Sequence, residues 1–192
     1  IMGSRRLGAR RLDALLRRGT TGRDTAYQAG PGITDAIVSH RMFNEGAFIV
    51  TEIVVDLGTT GANIVSSDGA DEPFGVAASG GCQLMQWEND IHGQFLFSEV
   101  FVVEVFTTVT AASLISGTAV EAVSDTIAGA ADIQAGFATN ALGSASAHGG
   151  STALADGEYV YLTGDNNTGT TMNAGQVVIR LIGAKPTDIS KD

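Results

Sequence analysis

Residues 49–57 read Ile-Val-Thr-Glu-Ile-Val-Val-Asp-Leu, with Ile49, Ile53, Val55 and Leu57 on one parity and Glu52 and Asp56 on the other. A period of two puts those apolar side chains on one face of an extended strand and the carboxylates on the other. The same apolar, β-branched and aromatic chemistry returns in residues 76–87, 94–108, 132–139, 159–162 and 177–182. Within residues 94–108, Glu99 and Glu104 fall on opposite parities, which predicts either a bulge between them or two different environments along one strand. Between these runs lie Gly-rich turns: the chain has 25 glycines against only 3 prolines, so punctuation by proline is rare. The fold class expected is all-β, a β-sandwich or jelly-roll-like domain over residues 33–192, preceded by a basic arm and linker over residues 1–32. At 192 residues the chain can bury roughly 70% of its unfolded surface, so it needs neither disulfide nor metal to fold.

Other segments speak less clearly. Residues 33–42 fit either a short strand or a helical turn. Residues 111–131 mix small side chains with Val120, Val123 and Ile127, leaving room for a helical turn at 120–124. Residues 140–150 read as a Gly/Ser/Ala connector. The two C-terminal runs, 159–162 and 177–182, are expected to pair as a hairpin with a long polar tip at 164–169. No fixed-period repeat occurs, which argues against solenoids and propellers.

The net charge of −10 hides a division. Residues 1–23 carry seven arginines against Asp13 alone, a net of +6. Residues 24–192 carry Arg41, Arg180, Lys185 and Lys191 against twenty carboxylates, a net of −16. Such asymmetry means that the two parts face different surroundings. Ser4 can cap a helix over residues 5–18 and Gly19 can end it. Leu12, Leu15 and Leu16, with Leu7 further N-terminal, then share one face flanked by Arg10, Arg11, Arg17 and Arg18. A helix of ~14 residues is marginal alone in water, so it needs a surface to fold against. These eight residues are the expected partner-binding set, and an acidic protein surface is the expected partner. Nucleic acid is not expected: the arm has no aromatic residue for stacking, and the acidic body would repel DNA.

Catalytic signatures are missing from the sequence. His40, His92 and His148 lie far apart without spaced ligand partners, and no nucleophile elbow, P-loop or dinucleotide fingerprint occurs. The loops Asp68-Gly69-Ala70-Asp71-Glu72 and Asp165-Asn166-Asn167 offer oxygen ligands, but turn chemistry accounts for both without calcium. Cys82, the single cysteine, sits in a strand-like run and is expected to be a buried structural thiol. No enzyme activity, metal or cofactor is expected. No apolar run is long enough to span a bilayer and no signal-peptide h-region follows the arginines, so a protein made in the cytoplasm with no membrane partner is expected.

The start Arg5-Arg6-Leu7-Gly8-Ala9-Arg10-Arg11-Leu12, then Thr34-Asp35-Ala36-Ile37-Val38-Ser39-His40 and Val54-Val55-Asp56-Leu57, resembles small virion proteins of tailed phages, especially marine and cyanobacterial ones. Asp156-Gly157-Glu158-Tyr159-Val160-Tyr161-Leu162-Thr163 and Ala174-Gly175-Gln176-Val177-Val178-Ile179-Arg180-Leu181-Ile182-Gly183 resemble the closing strands of the same group. The resemblance implies a β-sandwich capsid decoration (cement) protein on the virion surface, bound to the major capsid protein or another virion protein. It also implies a trimer, in agreement with the surplus of apolar residues in 94–108 and 177–182. Two other functions fit the sequence less well: a tail, adaptor or fibre component, and a jelly-roll carbohydrate-binding module. The module is poorly supplied with aromatics, having one Trp and three Tyr.

Overall fold

The computed structural model describes residues 29–33, 37–57, 64–65, 72–76, 80–106, 109, 111–123, 125–139, 141–143, 145–149, 154–164 and 174–184. The eight partner-binding residues expected in the arm, Leu7, Arg10, Arg11, Leu12, Leu15, Leu16, Arg17 and Arg18, lie outside them. So do Asp68, Asp71 and, beyond Gly164, the expected polar tip 164–169.

The described chain is all-β, as the alternation predicts. Among the described residues there are eleven strands: β1 (Ile37–Glu45), β2 (Phe48–Asp56), β3 (Ile64–Val65), β4 (Gly75–Val76), β5 (Met85–Gln86), β6 (Gln94–Glu104), β7 (Ala111–Gly117), β8 (Ala131–Ala138), β9 (Ala145–Gly149), β10 (Tyr159–Gly164) and β11 (Gln176–Ala184). A 3-10 turn at Pro31–Ile33 and a single helical turn, α1 (Asn89–His92), complete the order. Five strands form one antiparallel sheet in the order β1-β2-β11-β6-β9, and four form a second in the order β5-β10-β7-β8. The small β3-β4 pair stands apart from both.

The two sheets close on one core. Ile53 and Val55 of β2, Val100 and Val102 of β6, and Val177, Ile179 and Leu181 of β11 pack with Leu114, Ile133, Phe137, Val160 and Leu162 of the other sheet. Each of these occupies the inward parity of its strand, which is why the alternation in residues 49–57 could be read so directly. Of the two alternatives for β6, the bulge is present: Val177 pairs with Val102 and Gln176 with Glu104, leaving Val103 unopposed between them.

Several local expectations are corrected. Residues 159–162 and 177–182 are not a hairpin: β10 belongs to the four-stranded sheet and β11 to the five-stranded one, so the segment between them crosses the sandwich. Among the described residues, the run expected over residues 76–87 is strand only at Val76, which ends β4, and at Met85–Gln86. Residues 111–117 form β7, a central strand of the four-stranded sheet, and residues 145–149 form an edge strand, β9. Residues 29–33 pack onto the body: the Gly30 amide donates to the Gln83 carbonyl at 2.8 Å, and Gly32 is buried against Cys82. A Cβ at Gly30 would lie 1.8 Å from the Gly81 carbonyl oxygen, so only glycine permits that approach.

Core packing sets the expected stability pattern. Leu162→Ala, which empties a fully buried site between the sheets, should cost about 2–5 kcal/mol in urea unfolding. Leu142→Ala, at a site 69% exposed, should change stability by no more than ~0.5 kcal/mol in the same titration.

Candidate functional site

The outward faces of the two sheets are treated differently by the chain. The face of the four-stranded sheet is covered by the chain's own loop. Ile127, from the segment after β7, packs on Ile115 and Tyr161. The Tyr161 hydroxyl donates to the Ala119 carbonyl at 2.6 Å and accepts from the Glu121 amide at 3.1 Å, tying that loop down. The Glu121 carbonyl in turn accepts from the amides of Gly81 and Cys82. Burial, and then the electrostatic neighbours Glu121, Cys82 and Tyr159, push the Tyr161 phenol well above its ordinary range, so it remains a neutral donor. Cys82 is buried as expected, and burial followed by the nearby Asp125 carboxylate pushes its thiol up to about 11. A thiol held protonated in this way is a poor nucleophile.

The outward face of the five-stranded sheet has no such cover among the described residues. Register places its side chains in rows across the strands. Arg41, Glu52, Arg180 and Glu99 lie side by side on β1, β2, β11 and β6. On one side runs Phe43, Val50, Ile182 and Phe97, and on the other Ser39, Val54, Val178 and Phe101. The charged row is an ion-pair ladder: Arg41 Nη2 meets Glu52 Oε1 at 2.8 Å, Arg180 Nε meets Glu52 Oε2 at 3.0 Å, and Arg180 Nη1 lies 3.9 Å from Glu99 Oε2. Arg41 also sits 5.3 Å from the Phe43 ring centroid and Arg180 5.4 Å from that of Phe101, so both guanidiniums lie over apolar neighbours. Glu52, with both oxygens engaged, keeps only 8% of its side chain exposed. Phe48 at 44% and Val103 at 48% exposure extend the apolar surface beyond the rows. Between Phe43, Phe48, Val50, Phe97 and Ile182 the surface dips into a shallow, open depression of about 240 Å³.

A second polar cluster is internal. The structure brings His92 and His40 close enough to feel each other's charge, although the two lie 52 positions apart in sequence and nothing local links them. His92 is fully buried at the end of α1, shares a 2.9 Å hydrogen bond through Nδ1 with Thr51 Oγ1, and stacks on Trp87 with ring centroids 4.7 Å apart. His40 bonds through Nε2 to the Leu84 carbonyl at 3.0 Å. Close approach of α1 to β11 requires Gly183, because a Cβ there would lie 1.9 Å from the His92 carbonyl oxygen. Burial, then the neighbouring His40, pushes the His92 imidazole down to about 4; burial lowers His40 too, against the raising effect of its Leu84 bond. His92 thus ties α1 to β2, and His40 ties β1 to the segment at Leu84.

Among the described residues, no three His, Cys, Asp or Glu side chains gather as a metal site. No helix among them is long and apolar enough to cross a membrane. No family model, curated protein or solved structure matches the chain. The sequence signal for the open face was present, as the surplus of apolar residues in β6 and β11. Its central ion-pair ladder was not legible, because Arg41, Glu52, Glu99 and Arg180 meet only through strand pairing.

The buried imidazole carries a pH dependence. An unfolded histidine titrates near ~6.5, so between that value and about 4 the unfolded chain binds a proton that folded His92 refuses. Its contribution is therefore intact above pH ~6.5 and is lost as pH falls toward 4, by on the order of 3 kcal/mol. Denaturant titrations of the wild type and of His92→Gln should diverge across that window, with the variant showing the shallower decline.

Proposed function

We propose that this chain is a structural protein of a tailed-phage virion, a capsid decoration protein that holds to the shell through its basic arm and works by contact rather than catalysis. One observation carries the reading: the described surface holds a broad sheet face on which apolar rows flank a charge-balanced ion-pair ladder. A face of this kind suits association with other macromolecules. The resemblance of both ends of the sequence to phage virion proteins supports the assignment, and so does the division between a +6 arm and a −16 body.

Connectivity supports it as well. The order β2-β11-β6-β9 facing β5-β10-β7-β8, with the chain crossing between sheets at β2–β5, β5–β6, β6–β7, β8–β9, β9–β10 and β10–β11, is the winding we read as a jelly roll. Viral capsid domains use that architecture, and so do lectins and cupins. The lectin alternative is weakened by the fate of the larger aromatics: Trp87 and Tyr161 are fully buried and Tyr159 is half-buried, so they offer no exposed stacking platform for a sugar.

Attachment through the arm has an energetic order. Burying Leu12, Leu15 and Leu16 would contribute about 1.5–3 kcal/mol each, whereas exposed arginine–carboxylate pairs would add ~0–1 kcal/mol each and weaken with salt. Particles lacking the protein should bind the full chain at many positions over the shell, and residues 24–192 alone should not attach. Changing Leu12, Leu15 and Leu16 together to Ser should reduce occupancy more than neutralising any two arginines. Full occupancy by the truncated form would overturn arm attachment, and binding confined to the tail would reassign the protein to a tail component.

A further inference from the structure

We propose that the open face of the five-stranded sheet is a self-complementary interface, on which a second copy of this chain packs face to face about a two-fold axis running along the strands between β2 and β11. The charged row carries the argument. Read across the sheet it alternates Arg41, Glu52, Arg180, Glu99, with one charge per strand and an even number of members. A two-fold axis through its middle, parallel to the strands, keeps each row at its own level and reverses its order. Arg41 then lies opposite Glu99 of the other copy, and Glu52 opposite Arg180. All four cross-copy juxtapositions pair opposite charges. Moving the axis by half a strand spacing, onto β2 or β11, opposes like charges, and moving it by a full spacing leaves two of the four charges without a charged partner, so the alternation favours this register.

The flanking rows obey the same operation. Phe43 comes to lie opposite Phe97 and Val54 opposite Val178, while Val50 and Ile182, already buried on the single chain at 4% and 5% exposure, form the floor between the phenylalanines' strands. Apolar side chains therefore meet apolar ones on both sides of the ladder, at the ~10 Å spacing of stacked sheets and with the roughly 30° offset that strand twist imposes.

Size and charge point to the same occupant. A nine-residue strand such as β2 is about 30 Å long and the four strands that overlap in this register are about 19 Å wide, giving a face of about 570 Å². The smallest stable specific interfaces take about 600 Å² from each partner. The body carries −16 overall, so two copies repel through most of their surface. Within the ladder two arginines balance two glutamates, and there one acidic copy can approach another without a net charge to desolvate. The four-stranded sheet offers no equivalent surface, since its own loop covers it. An isologous contact uses up the face on both copies and so closes at two rather than growing into a filament.

This inference is independent of where the protein attaches, because it concerns the free chain in solution. Sedimentation equilibrium of the full chain at micromolar concentration should give a dimer, in place of the trimer that the sequence resemblance implies. In each homodimer of Arg41→Glu or of Glu99→Arg, both outer contacts of the ladder become like-charged, and dissociation should be at least tenfold easier. An equimolar mixture of the two variants should recover the dimer. In a mixed pair the two substituted side chains, now of opposite charge, face each other at one end of the ladder, and the native Arg41 faces the native Glu99 at the other. That recovery also shows that both variants are folded. Phe97→Asp should give a monomer with an unchanged circular dichroism spectrum. A monomeric or trimeric wild type, single variants that dimerise as tightly as wild type, or a mixture that stays monomeric would each overturn the proposal.

Discussion

The five-stranded sheet depends on β11, the final described strand, which lies between β2 and β6 and pairs with both along its length. Without it, β1-β2 and β6-β9 are two separate pairs with no common face. Its contacts reach far back in sequence: the Gln176 side-chain amide donates to Asp56, 120 residues earlier. The core behind it has the same dependence, since Val177, Ile179 and Leu181 are the fully buried residues that join the inward faces of β2 and β6. Non-local pairing of this kind makes a slow-folding topology, because loop entropy must be spent before the central strand is placed.

Insertion of β11 also creates the outward surface. Arg180 is the middle link of the ladder, contacting Glu52 on one neighbour and Glu99 on the other. The same strand that completes the core on one parity therefore sets the charge order on the opposite parity. The sandwich spends its 118–130 loop on the far sheet, anchored by Tyr161, and leaves the near sheet uncovered among the described residues. That asymmetry leaves one broad face open among the described residues, while the arginine-rich sequence of residues 1–23 carries a net charge opposite to that of the rest of the chain.

Legibility in the sequence followed the physics of each strand. Strand β2 carries Glu52 and Asp56 on the parity opposite Ile49, Ile53 and Val55, so its period could be read locally, whereas β6 and β11 were legible as runs of β-branched and aromatic residues. Strand β7, Ala-Ala-Ser-Leu-Ile-Ser-Gly, carries little β-propensity of its own; pairing with β8 and β10 makes it a strand. The same holds for β9, Ala-Ser-Ala-His-Gly, at the sheet edge. The separation of β10 and β11 into different sheets was illegible, because a long polar connector fits a hairpin and a crossover equally well. The ladder and the His40–His92 pair are products of tertiary placement, which no local pattern encodes. The arm could be read only as composition and helical spacing, and its eight named residues lie outside the described structure.

The account rests on the five-stranded face being open on the single chain and closed by association. Hydroxyl-radical footprinting of the full chain across a dilution series measures this directly. The account predicts that Phe43, Phe48 and Phe97 are protected at high concentration and become reactive on dilution, while Val120, exposed in the loop that covers the other sheet, reacts equally throughout. Equal labelling of the three phenylalanines at every concentration would contradict it.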